Sequence, residues 1–533
     1  MSEIGHCILL AVKTEVIMKM FKNLTASKIF QLLFFGIMIL LGLSIYKDYG
    51  MSWDENFQRN ENGKIVYEYI FKNAKSEYFN AGEKYHGPAL EFVLYSMERL
   101  FNLDDTRTIY LMRHLVCYLI YLFSALMLFK LIEEIYQNWK LAAFACIVYT
   151  LSPRLFAESF YNSKDVGDLS IFTIAICSGY RFIMDTSWRK AMIHGLVSGF
   201  LIAIRITGII MPAITLFVLA LYSINMRKET SIKYNTINGL LYLGFTVGFA
   251  ILFWPIMWHH PIDNFSSAWK EMSQFDWKSH VTYLGEFVNT WELPWHYLPV
   301  WIGLTTPILI LILLFLSVIA IAVNTFFLKR IDHKKYFLTI FAFLLFVAPI
   351  SSVVFLHSIV YDGWRHLYFI YGAMIVAIVY PIYLLENRVG KKIGNYLHSL
   401  LLIGYVPVIL MMIKLHPFQN LYFNKLFYPS LADARFNMEM DYWGLTYSKG
   451  LKYIVDNDKA KTVNVKVDNF GGNINLLLLA KEERDRINFV TEDSLANYFV
   501  GNYRWCRSEY PYPNECYNVT VDGAKVMAVY KLK

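Results

Sequence analysis

The sequence predicts a mainly α-helical, polytopic membrane protein with a small α/β domain at its C-terminal end. Three observations lead to this fold class. Hydrophobic residues make up 56% of the 533 residues and charged residues only 17%, and the mean hydropathy is positive. This composition excludes a disordered chain and leaves too little charge for the surfaces of several soluble domains. Apolar runs recur along most of the chain, and the last part changes to shorter runs at strand spacing.

About eleven apolar runs are candidates for membrane helices, because about 20 apolar residues are needed to cross a bilayer. They centre on residues 29–46, 109–132, 141–155, 166–183, 191–204, 207–224, 237–258, 300–327, 337–360, 367–385 and 397–413. The third and fifth runs are short, so we expect ten to twelve spans. The first run follows Lys19, Lys22 and Lys28 and lacks a small-residue cleavage site, which indicates an uncleaved anchor.

The Lys and Arg residues of the short loops predict the orientation, because these residues resist translocation. They concentrate in the N-terminal segment 1–28 and in the loops that contain Lys130, Arg181, Arg227, Lys329 and Arg388. These segments are therefore expected in the cytoplasm. The net charge of +8 is then a topology signal, and it gives no support to a nucleic-acid partner.

An odd number of spans places three long segments on the outer side, around a transmembrane domain of residues 29–415. The loop 47–108 has apolar residues at helical spacing, which predicts amphipathic helices on the membrane surface. The loop 259–299 is rich in Trp, which is typical of the headgroup level. The tail, 416–533, is expected to form the α/β domain, with a helix at 447–455, an apolar helix near 473–480 and strands at 462–467, 487–490 and 525–532.

Ionisable residues gather at four places on the predicted outer side, and these are the candidate sites. The first is the run Ser52-Trp53-Asp54-Glu55 after the first span. Ser52 and Glu55 have the spacing of a capping box, whereas Asp54 is not needed for one. An acid pair beside a Trp at the membrane surface could also hold a raised pKa suited to a base. Capping and catalysis are equally compatible with this pattern.

The second and third clusters lie in the first and second outer connections. His86 precedes a Gly-Pro turn, which favours a simple turn before a helix. Arg154, Glu158, Lys164, Asp165 and Asp168 crowd a short connection between apolar runs. Each charge left in hydrocarbon would cost about 3 kcal/mol, so this concentration predicts a polar cavity. An Asn162–Asp165 helix cap is the structural alternative.

The fourth cluster, Asp362-Gly-Trp-Arg365-His366, precedes the tenth run. Arg365 offers a forked donor for a phosphate, although a lone Arg at a helix end commonly snorkels to the interface. Acids in the first two outer connections and Arg on later ones together predict a site for an anionic substrate carried in the membrane.

These residues resemble the membrane glycosyltransferases of the C-type fold. The carriers of the resemblance are Asp54-Glu55 after the first helix, the surface helices of the first loop, and Asp165 at the end of the second outer connection. The segments 152–165, 362–366, 416–424 and 441–444 are similar to a bacterial subfamily of the protein O-mannosyltransferase and aminoarabinose transferase branch. The resemblance extends from residue 53 to about residue 444.

The resemblance implies an enzyme that transfers a sugar from a polyprenyl-phosphate donor to a hydroxyl acceptor, with inversion at the anomeric carbon. The acceptor is a glycan, a lipid or a protein, and the location is the bacterial inner membrane. Asp54 would be the general base, with Glu55 beside it, and Asp165 would support the site. Lys164, Arg154 and Arg365 are the candidates for the leaving phosphate, with His86 and His366 nearby. Relatives often have a Lys-Pro element at the place of His86, so its role is open.

Two other functions are alternatives to a glycosyltransferase for a polytopic membrane protein. A transporter or flippase of lipid-linked glycans would be expected to have repeated halves and acids near the bilayer midplane, and neither is present. A glycan polymerase or ligase would also be polytopic, but would be expected to carry its key groups in later outer loops.

The cysteine and metal patterns give weaker expectations. Cys506 and Cys516 are close together on the predicted outer side, where an oxidising compartment would allow a disulfide. No recognised metal motif is present, so the sequence implies no metal cage. Some members of the resembling family use a divalent metal ion near the acids and others do not, so the cofactor is undetermined.

Overall fold

The computed structural model describes residues 24–226, 231–273, 277–327 and 332–533. Lys19, Lys22, Arg227 and Lys329, which contribute to the predicted orientation, lie outside the described residues, as does most of segment 1–28. The described part is mainly helical, as predicted.

Polar residues mark where many of the long helices begin, because their side chains accept hydrogen bonds from otherwise unpaired backbone N–H groups. Thr25 caps the first helix, Asp105 the second long helix and Asn138 the next. The helices of the membrane part are α1 (Ala26–Ile45), α2 (Glu55–Gln58), α3 (Ile65–Lys72), α4 (Lys75–Asn80), α5 (Ala89–Leu100), α6 (Thr106–Tyr136), α7 (Trp139–Thr150), α8 (Pro153–Tyr161), α9 (Asp165–Met184), α10 (Trp188–Ile202), α11 (Ile210–Asn225), α12 (Ile232–Phe253), α13 (Pro261–Ser273), α14 (Tyr297–Thr305), α15 (Ile308–Phe327), α16 (His333–Phe355) and α17 (Ile370–Leu415).

Within the described ranges, nine segments are long and apolar enough to cross a membrane. Helix α17 supplies two of them, 370–390 and 392–415, because Gly390 with φ 79° interrupts it. The short third run forms α7 and α8, which are bent by 63° and count as a tenth span if taken together. The short fifth run is the 15-residue helix α10, about 22 Å long at 1.5 Å per residue. The nine spans, or ten with the bent pair, therefore meet the predicted ten to twelve only at its lower bound, and α10 is not among them.

Contacts between side chains at the helix ends agree with the predicted division into an inner and an outer group of ends. At one end, Arg181 of α9 donates to Glu134 of α6 at 2.9 Å, and Lys140 of α7 donates to Asn395 of α17 at 2.6 Å. All four positions were predicted on the inner side. At the other end, Arg205 after α10 pairs with Asp165 at the start of α9 at 2.8 Å. The two ends are separated as predicted; which compartment each one faces stays a prediction.

The two outer loops also contain the predicted structure, with one addition. Helices α3 and α5 lie where amphipathic helices were expected, and a π-helix, Arg59–Lys64, joins α2 to α3. The second loop begins with α13 and contains an unexpected hairpin of β1 (His280–Tyr283) and β2 (Glu286–Asn289).

The tail forms an α/β unit, as predicted. Its five-stranded sheet has the order β4-β3-β5-β7-β6, with β3 parallel to β4 and β5, and β7 antiparallel to β5 and β6. Strands β5 and β6 were missed in the sequence. The elements are β3 (Val463–Val467), β4 (Ile487–Phe489), β5 (Tyr498–Gly501), β6 (Glu515–Val521) and β7 (Ala524–Lys531), with helices α18 (Leu431–Arg435), α19 (Tyr447–Asn457), α20 (Phe470–Asn475) and α21 (Lys481–Arg484).

The tail is fixed against the outer helix ends close to Asp54. The side chain of Asn475, at the end of α20, accepts from the N–H of Met51 at 2.9 Å and donates to its carbonyl at 3.0 Å. Asn475 is fully buried, so both bonds are shielded from water and are costly to break. The backbone just before Asp54 is thereby held by the tail.

Candidate active site

Asp54 lies where the chain leaves the first membrane helix and begins the surface helices. It occupies the position before α2, and its side chain makes no capping hydrogen bond there. One carboxylate oxygen accepts from Arg365 Nη1 at 3.2 Å. The side chain keeps 32% of its exposure, so Asp54 is oriented by Arg365 and still accessible.

Arg365 is the centre of the charged network around Asp54. Its Nη1 also donates to Asp165 Oδ2 at 3.2 Å, and its Nε lies 3.3 Å from Asp362 Oδ2. The guanidinium packs on the rings of Tyr361 and Trp443 at 4.9 and 4.7 Å. Burial opposes its charge, but the attraction of the three carboxylates, Asp54 first, raises the pKa of Arg365 well above its usual value. In the structure Arg365 contacts these three carboxylates, and its contact with a phosphate stays a prediction.

Arg205, which was not among the predicted site residues, is the second arginine of this network. Its Nη2 lies 2.8 Å from Asp165 Oδ1, and its Nη1 donates to the carbonyl of His366 at 3.4 Å. Asp165 therefore connects Arg205 to Arg365. The sequence signal for Arg205 was present, since it is a lone charge between the apolar runs 191–204 and 207–224, but it was not selected as a site residue.

A cavity of about 580 Å³, here called the inner cavity, opens next to Asp54. One end is polar and mostly basic, and the remaining walls are largely apolar. His86 pairs there with Glu83 at 2.6 Å, and no hydrogen bond or ion pair joins the Lys164 ammonium to another described residue. The polar end is formed by Asp54, Glu83, His86, Lys164, Arg205 and His366; the apolar walls include Ile206, Ile209, Ile210, Pro349, Val353, Leu356, Ile359 and Val360.

At the polar end, which Asp54 and Glu83 also line, the pKa values of one lysine and two histidines are lowered, first by burial and then by neighbouring cations. Burial and then the charge of Arg205 lower the pKa of Lys164. Burial and then Lys164 lower the pKa of His86, and burial with Arg365 and Arg205 lowers that of His366 well below its usual value. Cations that suppress each other's charge are stabilised when an anion joins them. The inner cavity is therefore suited to a phosphate.

A second, smaller pocket of about 100 Å³, here called the outer pocket, is also lined by Asp54. The two cavities share Trp53, Asp54, Trp277 and Tyr361. The remaining lining of the outer pocket is Asp362, Arg365, Tyr442, Trp443, Arg504 and Trp505. Asp54 thus stands at the border between an amphipathic cavity and an aromatic one.

Two predicted site residues, Glu55 and Arg154, line neither the inner cavity nor the outer pocket. Glu55 is buried, accepts from the N–H of Ser52 at 3.0 Å, and lies 3.1 Å from His114 Nε2. This is half of a capping box, because the Ser52 hydroxyl donates instead to the carbonyl of Tyr161. Successive helical residues point about 100° apart, which explains why Glu55 leaves the cavity that Asp54 faces.

Arg154 is also directed away from the cavities. Its Nε donates to the carbonyl of Tyr422 at 2.9 Å, and its guanidinium packs on Trp301 and Phe423. Arg154 lies in the first turn of α8, directly after the bend between α7 and α8. Asp54, His86, Lys164, Asp165, Arg365 and His366 are the predicted residues that do meet at the two cavities or in the network between them.

The predicted disulfide is not formed in the structure, where Cys506 and Cys516 are free thiols. Cys506 lies in the loop after β5 and contacts Ser508. Cys516 lies in β6 and contacts the carbonyl of Val529 on β7. The two thiols are therefore engaged with separate elements.

The acids near Asp54 do not form a metal site in the described part of the chain, where no group of three or more His, Cys, Asp or Glu residues is placed to hold an ion. Asp54, Asp165 and Asp362 all contact Arg365. The guanidinium takes the central place that a divalent cation would need between these carboxylates, so the residues present do not fit a metal ion.

No family model matches the chain, and its sequence matches no curated protein. Among solved structures, ArnT from Cupriavidus metallidurans is similar over 95% of this chain and 98% of its own, with 12% identity and a TM-score of 0.46. The Archaeoglobus fulgidus oligosaccharyltransferase, tethered to an acceptor peptide, is similar over 87% and 64%, with 12% identity and a TM-score of 0.44. Arabinosyltransferase EmbB from Mycobacterium smegmatis is similar over 69% and 31%, with 14% identity and a TM-score of 0.39. Because these TM-scores are below 0.5, none of the three likenesses identifies the function of this chain.

Proposed function

We propose that the protein is an inverting glycosyltransferase that moves a sugar from a polyprenyl-phosphate donor to a hydroxyl acceptor at the outer face of a bacterial inner membrane. The observation that carries this proposal is the position of Asp54. Its carboxylate borders both the inner cavity, with its basic end and apolar walls, and the aromatic outer pocket. A base is needed at such a border, where two substrates meet.

The inner cavity matches the chemistry of a lipid-linked donor. Leu356, at the end of α16, lines it and remains 72% exposed, so the apolar wall continues to the surface that faces lipid. A polyprenyl chain would lie along this wall with its phosphate at Lys164 and Arg205. Charge-assisted hydrogen bonds from both would stabilise the phosphate as it leaves.

The reaction needs one base and no acid. The acceptor oxygen attacks the anomeric carbon from the face opposite the phosphate, and its proton passes to the Asp54 carboxylate. The bond between the anomeric carbon and the phosphate oxygen breaks, and its electron pair leaves with the polyprenyl phosphate. The products are the inverted glycoside and the free carrier phosphate. Leaving as a phosphate anion requires stabilisation by cations and no protonation.

The neighbouring charges then act as positioning residues. Arg365 orients Asp54, and Asp165 holds Arg365 and Arg205 at the border of the cavity. His86 and His366, whose pKa values are lowered, remain neutral near pH 7 and can contribute N–H donors. A transporter would need a site near the middle of the membrane, whereas these residues lie at the outer ends of the helices.

The decisive experiment replaces Asp54 by Asn, which keeps the size of the side chain and removes the base. We expect transfer of labelled sugar from polyprenyl phosphate in isolated membranes to fall by about 10²–10⁴-fold, with the amount of inserted protein unchanged.

Glu61→Gln is the matched control, because it removes one acid from the same loop and Glu61 lines neither cavity. Glu55→Gln is expected to lower thermal stability more than transfer, since Glu55 is buried against Ser52 and His114. Normal transfer by Asp54→Asn would disprove the proposal.

A further inference from the structure

We propose that the outer pocket binds the acceptor, and that this acceptor is a sugar ring. The inference rests on the proposed function, which requires a hydroxyl group on the side of Asp54 opposite the inner cavity. It goes further because it selects a glycan from the possible acceptors and assigns part of its site to the tail.

The aromatic side chains of the outer pocket can pack against the C–H groups of a sugar ring. Trp277 stacks on Tyr361 with ring centroids 4.0 Å apart, and Trp505 meets Trp53 edge-on at 6.2 Å. Trp443, which is 1% exposed, completes the lining. The C–H groups of a pyranose carry slight positive charge and pack on the negative face of an aromatic ring. One face of each ring is already covered, in Trp277 by Tyr361, in Trp443 by Arg365, and in Trp53 and Trp505 by Arg504. The opposite faces and the ring edges are what these four Trp residues offer a sugar.

Polar groups in the same pocket lack partners of their own. The indole nitrogens of Trp443 and Trp505 and the Nε of Arg504 make no hydrogen bond with any described residue. A buried donor without a partner is costly, and a ligand oxygen would relieve that cost. Three unpaired donors around one pocket fit the hydroxyl and ring oxygens of a saccharide better than an apolar group.

The tail supplies two of these residues from the segment that follows β5. Arg504 is fixed by hydrogen bonds to the carbonyl of Tyr442 at 2.7 Å and to Asp362 at 2.6 Å, and its guanidinium lies between Trp53 and Trp505 at 5.0 and 4.9 Å. The outer pocket is therefore incomplete without the tail, which gives the α/β unit a function in acceptor recognition.

The size of the outer pocket favours a sugar over a peptide as the acceptor. The outer pocket, at about 100 Å³, is smaller than ordinary ligand pockets of roughly 300–1,000 Å³, so it admits one terminal unit. An extended peptide is usually held along a sheet edge or a groove by main-chain hydrogen bonds, and none of the residues that line the outer pocket belongs to a strand.

Saturation-transfer NMR on the full-length protein in micelles tests the proposal. The probes are methyl glycosides of hexoses, pentoses and N-acetylhexosamines, and a Ser/Thr-containing peptide. We expect at least one glycoside to receive saturation from the wild type, and Trp505→Ala to weaken its binding by tenfold or more. Trp505→Phe should restore part of it, because the ring is kept. Trp295→Ala is the matched control, since Trp295 is 71% exposed and lines neither cavity.

Binding of farnesyl phosphate, followed by ³¹P NMR, separates this inference from the proposed function. Trp505→Ala should bind this probe normally, because Trp505 does not line the inner cavity. No signal from any glycoside, equal binding by Trp505→Ala, or binding of the peptide alone would each overturn the sugar acceptor. If farnesyl phosphate fails to bind the wild type, the donor proposal fails while the glycoside result still stands.

Discussion

Two buried arginines, Arg113 and Arg365, are each surrounded by acids at the helix ends predicted to be outer, and the two clusters differ in their surroundings. Arg113 of α6 contacts Glu91 and Glu98 of α5, and Glu98 also accepts from Arg59 at 2.8 Å. Arg365 contacts Asp54, Asp165 and Asp362. The Arg113 cluster lines neither of the two cavities, whereas Asp54 of the Arg365 cluster lines both, and Arg365 and Asp362 line the outer pocket.

The comparison shows that a buried arginine surrounded by acids is not by itself an active site. Glu91 and Glu98 have 6% and 0% of their side chains exposed, against 32% for Asp54. In the first cluster both acids are enclosed by partners, Glu91 by Arg113 and Ser163 and Glu98 by Arg113 and Arg59. In the second cluster one acid is held by the arginine and remains accessible to substrates. The feature that marks the second cluster as a candidate active site is therefore the accessibility of one acid, Asp54.

The largest expected effect is on stability, and it comes from disrupting the Arg113 cluster. Arg113→Met leaves Glu91 and Glu98 buried without their counterion, so the free energy of unfolding should fall by about 3–5 kcal/mol. Thermal unfolding in micelles and the yield of inserted protein measure this loss. The remaining folded protein should transfer sugar at the normal rate per molecule, because no member of this cluster faces substrate.

Asp54→Asn gives the opposite pattern, with stability nearly kept and transfer lost. If Arg113→Met were instead stable and inactive, the division between a structural cluster and a catalytic one would be wrong.

A smaller effect is expected in the pH profile of the inner cavity. Burial and Arg205 lower the pKa of Lys164, so its positive charge is lost as pH rises through a value below the usual ~10.4. The kcat/KM for the donor should therefore decline on the alkaline side. Loss of one charge-assisted contact is worth about 1.5–3 kcal/mol, or roughly ten- to a hundredfold.

Lys164→Arg should keep activity to higher pH, since a guanidinium remains charged there. Rates measured from neutral to alkaline pH in both proteins make the comparison. The same alkaline decline in both proteins would exclude Lys164 as the phosphate ligand.

The sequence predicted the helices, the separation of their two ends and most of the charged residues, because hydropathy and Lys/Arg placement are strong local signals. It did not distinguish Arg154 from Arg205. Arg154 lies at the end of the run 141–155 and Arg205 directly after the run 191–204, and the Arg154 guanidinium packs on Trp301 and Phe423, away from the cavities. Strands β5 and β6 were missed because one is four residues long and the other carries Glu515 and Asn518.

The smallest expected effect is that of removing metal ions, and it tests the central position of Arg365. A divalent cation shared by Asp54 and Asp165 would have to displace a guanidinium that contacts both at 3.2 Å. Because the arginine already neutralises these acids, we expect transfer in membranes to be unchanged by EDTA. Arg365→Lys is the sharper variant, since an ammonium cannot reproduce the forked geometry and transfer should fall with or without EDTA. Inhibition of the wild type by EDTA that added Mg²⁺ or Mn²⁺ reverses would mean that a metal ion organises these acids and that Arg365 has another role.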